Sequence, residues 1–307
     1  MEDQVLKIHV AEEAAGQSVE RFLRIGLGLS RKQISRLKFR EEGIRLNGLR
    51  QRVTQTLHTG DLLEVRLETG GEKAGKVEAC SGIGKLKILY EDRDLLVVEK
   101  PAGMVCHPSH GHWRDTLSNL AAAYLREQGT GGMIRLLGRL DKDTSGILLF
   151  AKNREAAGIL ARQRGDGNLE KTYLALAEGC PEPAEGTVDA PIQRIPGELM
   201  KMQVSPKGKA ARTHYRVLRV WEKKGRKKAL LQLKLEQGRT HQIRVHMAYL
   251  GCPLEGDPLY GTDPRGKGAL LHAWKLRFAQ PFTGQKIVLE TELPPWCRGS
   301  QIKFQDF

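Results

Sequence analysis

The chain has 307 residues, enough for one large domain or two smaller ones, and 40% of them are hydrophobic, enough for a real core. Fifty Lys and Arg against 36 Asp and Glu leave a formal charge of +14, which favours polyanionic partners: nucleic acid or an acidic membrane surface. No apolar run approaches the ~18 residues that cross a bilayer, and the opening MEDQVLKIHVAEE lacks the apolar stretch of a signal peptide. Five scattered cysteines without a CxxC pair predict reduced thiols. A cytosolic protein is expected, with nucleic acid as its polyanion.

In chain order, GQSVERFLRIGLGL offers a rough helical face of Val19, Phe22, Leu23, Ile25 and Leu27. A second helix follows in SRKQISRLKFREEG, with a Ser30–Gln33 capping box, Ile34 and Leu37 on one face, and Gly43 as its stop. IRLNGLRQRV predicts a hairpin whose Asn47-Gly48 turn is of type I′, and HTGDLLEVRL predicts another turn and strand. Arg21, Arg31, Lys32, Arg36, Lys38 and Arg45 crowd this segment, while acids are sparse between Gly16 and Arg52. That imbalance predicts a surface that tracks phosphates, against the plainer alternative of a solvated helix face. Residues 69–85, rich in Gly and Lys and without apolar period, read as a flexible linker.

From Leu86 onward strands dominate. Two short strands flank the Glu91–Asp94 turn; others are expected at Gly146–Ala151, Lys171–Ala177, Ala211–Val220, Ala229–Leu235 and Lys286–Leu293. Helices are expected in DTLSNLAAAYLREQG, where Leu117, Leu120, Ala121, Tyr124 and Leu125 follow helical spacing, and near Arg154–Arg162 and His241–Leu250. Strands and helices without strict βαβ alternation predict an α+β fold with a mixed sheet.

The stretch GRLDKDTSGILLFAKN loads ionisable groups onto the threshold of the apolar run Ile147–Ala151. Charge beside a low-dielectric interior is costly unless paired or used. Alternation in an extended turn turns Arg139 and Asp141 to one side, and Gly146 permits close backbone approach. Asp141 is then either a structural ion-pair partner or a nucleophile or base. In EQGRTHQIRVHMAYLG, Arg239, His241, Arg244 and His246 lie within eight residues, so some face a cleft and others the sheet. The two histidines, five apart, miss the i, i+4 spacing of a zinc pair. Tyr173, at strand spacing in KTYLALAEG, is either a core aromatic or a ring that stacks on a base. CHPSHGHW has residue types that suit zinc but no second ligand group; His107 is expected in a polar cleft wall and the other histidines on the surface.

The first segment, through SRKQISRLKFREEGIRLNG and HTGDLLEV, resembles an S4 RNA-binding domain, which implies that its second helix faces structured RNA. The remainder resembles the RluA-type pseudouridine synthases, the family that includes large-subunit rRNA enzymes. VVEKPAGMVCHP, GRLDKDTSGILLFAKN, KTYLALAEG, GRTHQIRVHMAYLGCPLEGDPLYG and LLHAWKLRF carry the likeness, in order. The resemblance implies a small α/β S4 domain over 1–68, the linker, and over 86–307 a catalytic domain with a mixed, largely antiparallel sheet. It implies Asp141 as the catalytic aspartate, Tyr173 as the ring against the target base, Arg244 as the partner of the aspartate, and Arg139 as the residue that takes the space of the flipped base. Gly138 departs from the pattern, since many members carry histidine there. The implied reaction isomerises uridine in structured RNA, with neither cofactor nor metal. Large-subunit rRNA is the expected partner, bound also through His107 and Arg239; the chain is expected to be a monomer away from membranes. The alternatives are a tRNA pseudouridine synthase, a non-catalytic RNA-binding or ribosome-assembly protein, and a metal-dependent hydrolase built on CHPSHGH.

Overall fold

A computed structural model describes residues 4–29, 31–67, 77–82, 84–130, 134–223 and 225–298. Ser30, the side chain of Lys32, residue 68, and residues 69–76 and 83 of the expected linker lie outside the described residues.

The first unit contains β1 (Gln4–His9), a 3-10 turn (Glu12–Ala14), α1 (Val19–Ile25), α2 (Arg31–Phe39), β2 (Ile44–Leu46), β3 (Leu49–Arg50) and β4 (Leu62–Leu67). Its four strands pair antiparallel in the order β1-β4-β2-β3. β4 alternates, burying Leu63, Val65 and Leu67 against Val19 and Leu23 of α1 and Ile34 and Leu37 of α2. The Ser18 side chain accepts from the Arg21 amide and starts α1. Asn47 and Gly48 both have positive φ, 53° and 78°, as a type I′ turn requires. Ile25, expected on the inner face of α1, is 59% exposed, because it lies about 200° around the helix from buried Leu23. Arg31, Ser35 and Lys38, at i, i+4 and i+7, share a face of α2 that flanks the buried pair, with Arg31 and Lys38 exposed.

The second unit runs through β5 (Lys87–Glu91), β6 (Leu95–Lys100), α3 (Leu117–Glu127), β7 (Arg135–Leu137), β8 (Ser145–Ala151), α4 (Arg154–Gly165), β9 (Glu170–Glu178), β10 (Glu185–Asp189), β11 (Ile192–Arg194), β12 (Met202–Val204), β13 (Arg212–Lys223), β14 (Arg226–Leu235), α5 (Gln242–Tyr249), β15 (Leu271–Ala279), β16 (Lys286–Glu290) and α6 (Pro295–Arg298). Its ten-stranded sheet has the order β10-β13-β14-β9-β15-β8-β6-β5, with β16 on β15 and β7 on β8. The pairing of β15 with β8 is parallel and its neighbours are antiparallel, so the sheet is mixed and largely antiparallel. Strands β1, β7, β10, β11, β12 and β15 lie where the sequence reading places none. β15 is buried on both faces over Leu271–Trp274, so its first half lacks the alternation that marks a half-buried strand.

Gly146 lets β15 approach. Its φ is +109°, and a Cβ there would stand 2.2 Å from the Ala273 carbonyl oxygen. Residues 77–80, at the end of the expected linker, lie against α3: Asn119 donates to the Glu78 carbonyl at 2.8 Å, and Val77 and Ala79 pack on the large core. The two units meet at α4, where Arg162 donates to the carbonyls of Arg24 and Gly28, both at 2.6 Å.

Candidate active site

The ionisable turn between β7 and β8 forms one wall of a cleft of about 590 Å³. Leu140 is buried, so its neighbours Arg139 and Asp141 turn outward, and both line the cleft. The turn is held from below by buried polar groups. The Lys100 ammonium, wholly buried at the end of β6, donates to the carbonyls of Pro101, Met104 and Lys142 at 2.8, 2.7 and 2.7 Å. Cys106 donates its thiol to the Leu140 carbonyl at 3.1 Å and accepts the Leu140 amide at 3.3 Å. Burial pushes that thiol above its ordinary value, which keeps it a donor. The backbone on both sides of Asp141 is therefore fixed.

The opposite wall is the loop 236–241 and helix α5. His241 caps α5 in the left-handed region, with φ 56°, and Arg244 lies one turn on. Arg244 Nη1 stands 3.4 Å from Asp141 Oδ2. Its stronger partner is Asp257, a wholly buried carboxylate that receives Arg244 Nε and Nη2, each at 2.7 Å. Asp257 also accepts the amides of Leu259 and Tyr260 at 2.9 and 3.2 Å. Burial opposes the charge on both partners, but their hydrogen bonds and mutual attraction win, leaving Arg244 above its ordinary value and Asp257 below. His241 Nε2 is 3.9 Å from Asp141 Oδ2, and its Nδ1 is 2.9 Å from the Tyr260 hydroxyl. Burial lowers the His241 pKa against the upward pull of Asp141, so the ring favours its neutral form.

Tyr173, on β9, belongs both to the core and to the cleft lining. Burial raises its phenol well above the ordinary value despite the opposing charge of Arg164, so it stays protonated. Desolvation draws Lys171, also in the cleft, down to about 8, and its Nζ donates to the Ile147 carbonyl at 3.0 Å.

The structure thus brings together Asp141, Arg139, Tyr173, Arg244 and Arg239 around one cleft. His107 is a correction: it is exposed, outside the cleft lining, with Nδ1 3.4 Å from the Ser118 hydroxyl. Burying Cys106 beneath Leu140 turns the next residue away. Arg45, among the basic residues of the first unit, pairs with Glu42 at 3.1 Å. His246, the other histidine of the motif, faces the sheet, bonded to Thr213 and the Ala190 carbonyl. His112 contacts Asp115 at 2.5 Å, and no group of three or more metal-ligating side chains gathers among the described residues. Sequence reasoning missed Asp257 and Lys100, and it placed His241 in the cluster without giving it a role. Asp257 lies in the quoted GDPLYG, but nothing in its spacing from Arg244 announces a pair.

Residues 94–249, which include Asp141, Tyr173 and Arg244, match the family model for RNA pseudouridylate synthase. The chain belongs to the RNA pseudouridylate synthase family. It is 44% identical over 237 residues to ribosomal large subunit pseudouridine synthase D of Nitrosomonas europaea, covering 74% of this chain and 66% of that one. It is 37% identical over 295 residues to an uncharacterized RNA pseudouridine synthase of Mycobacterium bovis, Mb1567, covering 93% of each. Among solved structures it resembles human RNA pseudouridylate synthase domain containing 1, with TM-score 0.57 and 30% identity over 70% of this chain and 86% of that one. RNA pseudouridylate synthases are isomerases, and Asp257 and Tyr260 lie beyond the segment matched by the family model.

Proposed function

We propose that the chain isomerises uridine in large-subunit rRNA, with Asp141 as the catalytic carboxylate. The observation that carries this is the meeting of Asp141 and Arg244, 103 positions apart in sequence and 3.4 Å apart in space, in a cleft that Tyr173 also lines. The rRNA assignment draws on the printed name of the Nitrosomonas relative and on the basic first unit, read as an S4-like RNA-binding domain over 1–68. Relatives that align over 93% of the chain support treating that unit as part of the enzyme. It presents exposed Arg21, Arg31 and Lys38. In this reading residues 69–85 are linker, 86–307 form the catalytic domain, and the protein works as a cytosolic monomer without a cofactor.

The reaction breaks the bond between uracil N1 and ribose C1′, turns the base, and joins C1′ to C5; the C5 proton leaves and N1 gains one. The target base must first be flipped from its stack, at a cost of a few kcal/mol. Arg139 takes the space it leaves, and Tyr173 packs against the flipped ring. Asp141 attacks C6, attacks C1′, or removes the C2′ proton; each route needs a carboxylate held in place. Arg244 supplies that hold and is itself braced by Asp257.

The test is Asp141→Asn, with pseudouridine-selective chemical mapping of total RNA. Wild type is expected to modify large-subunit rRNA, and the variant to bind that RNA without isomerising it. Full activity in the variant overturns the role of Asp141. Modification of tRNA alone overturns the choice of RNA.

A further inference from the structure

The cleft holds more positive charge than the pairing of Arg244 uses. Arg244 is neutralised by Asp257, Lys234 pairs with Glu170 at 2.9 Å, and Arg239 and Lys171 donate to carbonyls. Arg139 and Arg164 have no ion pair or hydrogen bond to the protein among the described residues. Arg139 already has a place in the proposed reaction. Arg164 has none.

Arg164 stands on the last turn of α4 and is exposed. A cation at a helix C-terminus has a plain explanation, attraction to the helix dipole, but that alone does not direct its side chain across a cleft. Its Nη1 lies 3.2 Å from where a Cβ on Gly138 would be, and its Nη2 lies 3.0 Å from the Cβ position of Gly238. Gly138 begins the turn that carries Asp141, and Gly238 precedes Arg239 and His241 on the opposite wall. The guanidinium therefore bridges both walls at backbone level, in space that a Cβ on either glycine would crowd. Gly138 also has φ +82°, where other residues are strained. An unpaired, planar fork of donors, open to solvent beside the reacting residues, matches a phosphate oxygen pair.

We propose that Arg164 binds a backbone phosphodiester next to the flipped uridine, through the gap left by Gly138 and Gly238. The inference rests on the proposed function, in that RNA must occupy this cleft. A contact of this kind positions the strand without reading its sequence. Arg164 is a binding and positioning residue, separate from the group that reacts.

The experiment uses the full chain and an rRNA fragment that wild type binds, with Kd measured from 0.05 to 0.3 M KCl. Arg164→Gln is expected to raise Kd about tenfold at 0.1 M KCl. Each phosphate contact contributes about 0.7 to 0.9 to the slope of log Kd against log salt, so the slope falls by that amount. Arg164→Lys is expected to keep most of the slope. In steady-state turnover the loss in Arg164→Gln is expected on KM more than on kcat. Gly138→His, which places a side chain against Nη1, is expected to weaken binding in wild type but to add little in Arg164→Gln. An unchanged salt slope in Arg164→Gln, or a defect confined to kcat, overturns the inference. An RNA that wild type binds but never isomerises counts against the proposed function instead, and the salt slope still decides the part played by Arg164.

Discussion

Replacing Asp257 by Asn removes one charge and almost no volume from the base of the site. Asn Oδ1 keeps the three contacts now made by Asp257 Oδ1: Arg244 Nη2 at 2.7 Å and the Leu259 and Tyr260 amides at 2.9 and 3.2 Å. The fourth contact, Arg244 Nε to Oδ2 at 2.7 Å, becomes a donor facing a donor. A buried guanidinium is then left with only the longer contact to Asp141 as counter-charge, and breaking such a buried pair costs about 3–5 kcal/mol. At about 2–4 °C per kcal/mol for a unit of this size, Tm is expected to fall by roughly 6 to 20 °C. Arg244 also loses the brace that sets its distance from Asp141, and a misplacement of about 1 Å costs on the order of a hundredfold in rate. Thermal denaturation and single-turnover pseudouridine formation read the two effects. Adding Arg244→Met removes the stranded cation, so the double variant is expected to be more stable than Asp257→Asn alone. A Tm within 2 °C of wild type in Asp257→Asn, or strict additivity in the double variant, refutes this account of the pair.

Tyr173→Phe keeps the stacking surface and is expected to retain RNA affinity while Tyr173→Ala weakens it; equal binding by both variants, measured by filter retention, counts against a packing role. Joint substitution of exposed Arg31 and Lys38 by Gln is expected to weaken RNA binding and to lower its salt slope by up to about 2, and an unchanged slope removes α2 from the RNA surface. Desolvation pushes buried His272 down to about 4, while its neutral ring bonds Ser145 at 2.7 Å and Thr291 at 2.6 Å. The unfolded chain takes up this proton near the ordinary 6.5 and the folded one only near 4, so stability is expected to fall by about 3 kcal/mol as pH drops through that window. His272→Asn is expected to flatten that slope in urea titrations at pH 7 and pH 4.5; a slope equal to that of wild type contradicts the burial argument.

Local chemistry made much of this protein readable from its residues. The Asn47-Gly48 turn, the alternation of Leu63, Val65 and Leu67, and the helical spacing of Leu117 to Leu125 each depend on neighbours within a few positions. The alternation of Arg139, Leu140 and Asp141 placed two charged groups on one side for the same reason, and the run after them proved to be the buried strand β8. Two-sided burial over Leu271–Trp274 hid the first half of β15, where no residue faces solvent to set a period; only its second half alternates, with Leu276 and Phe278 buried and Arg277 exposed.

The pairings in the site are the work of the tertiary fold. Nothing local ties Asp257 to Arg244, Lys100 to the carbonyl of Lys142, or Arg164 to the bare backbones of Gly138 and Gly238. Each joins segments that only the order of strands brings together, and their energies arise from desolvation at the place where they meet. The sequence alone determined which groups can ionise and which stretches bury themselves. The fold decided which charges are spent on one another and which are left facing the cleft, because a charge is costly or useful only according to what surrounds it.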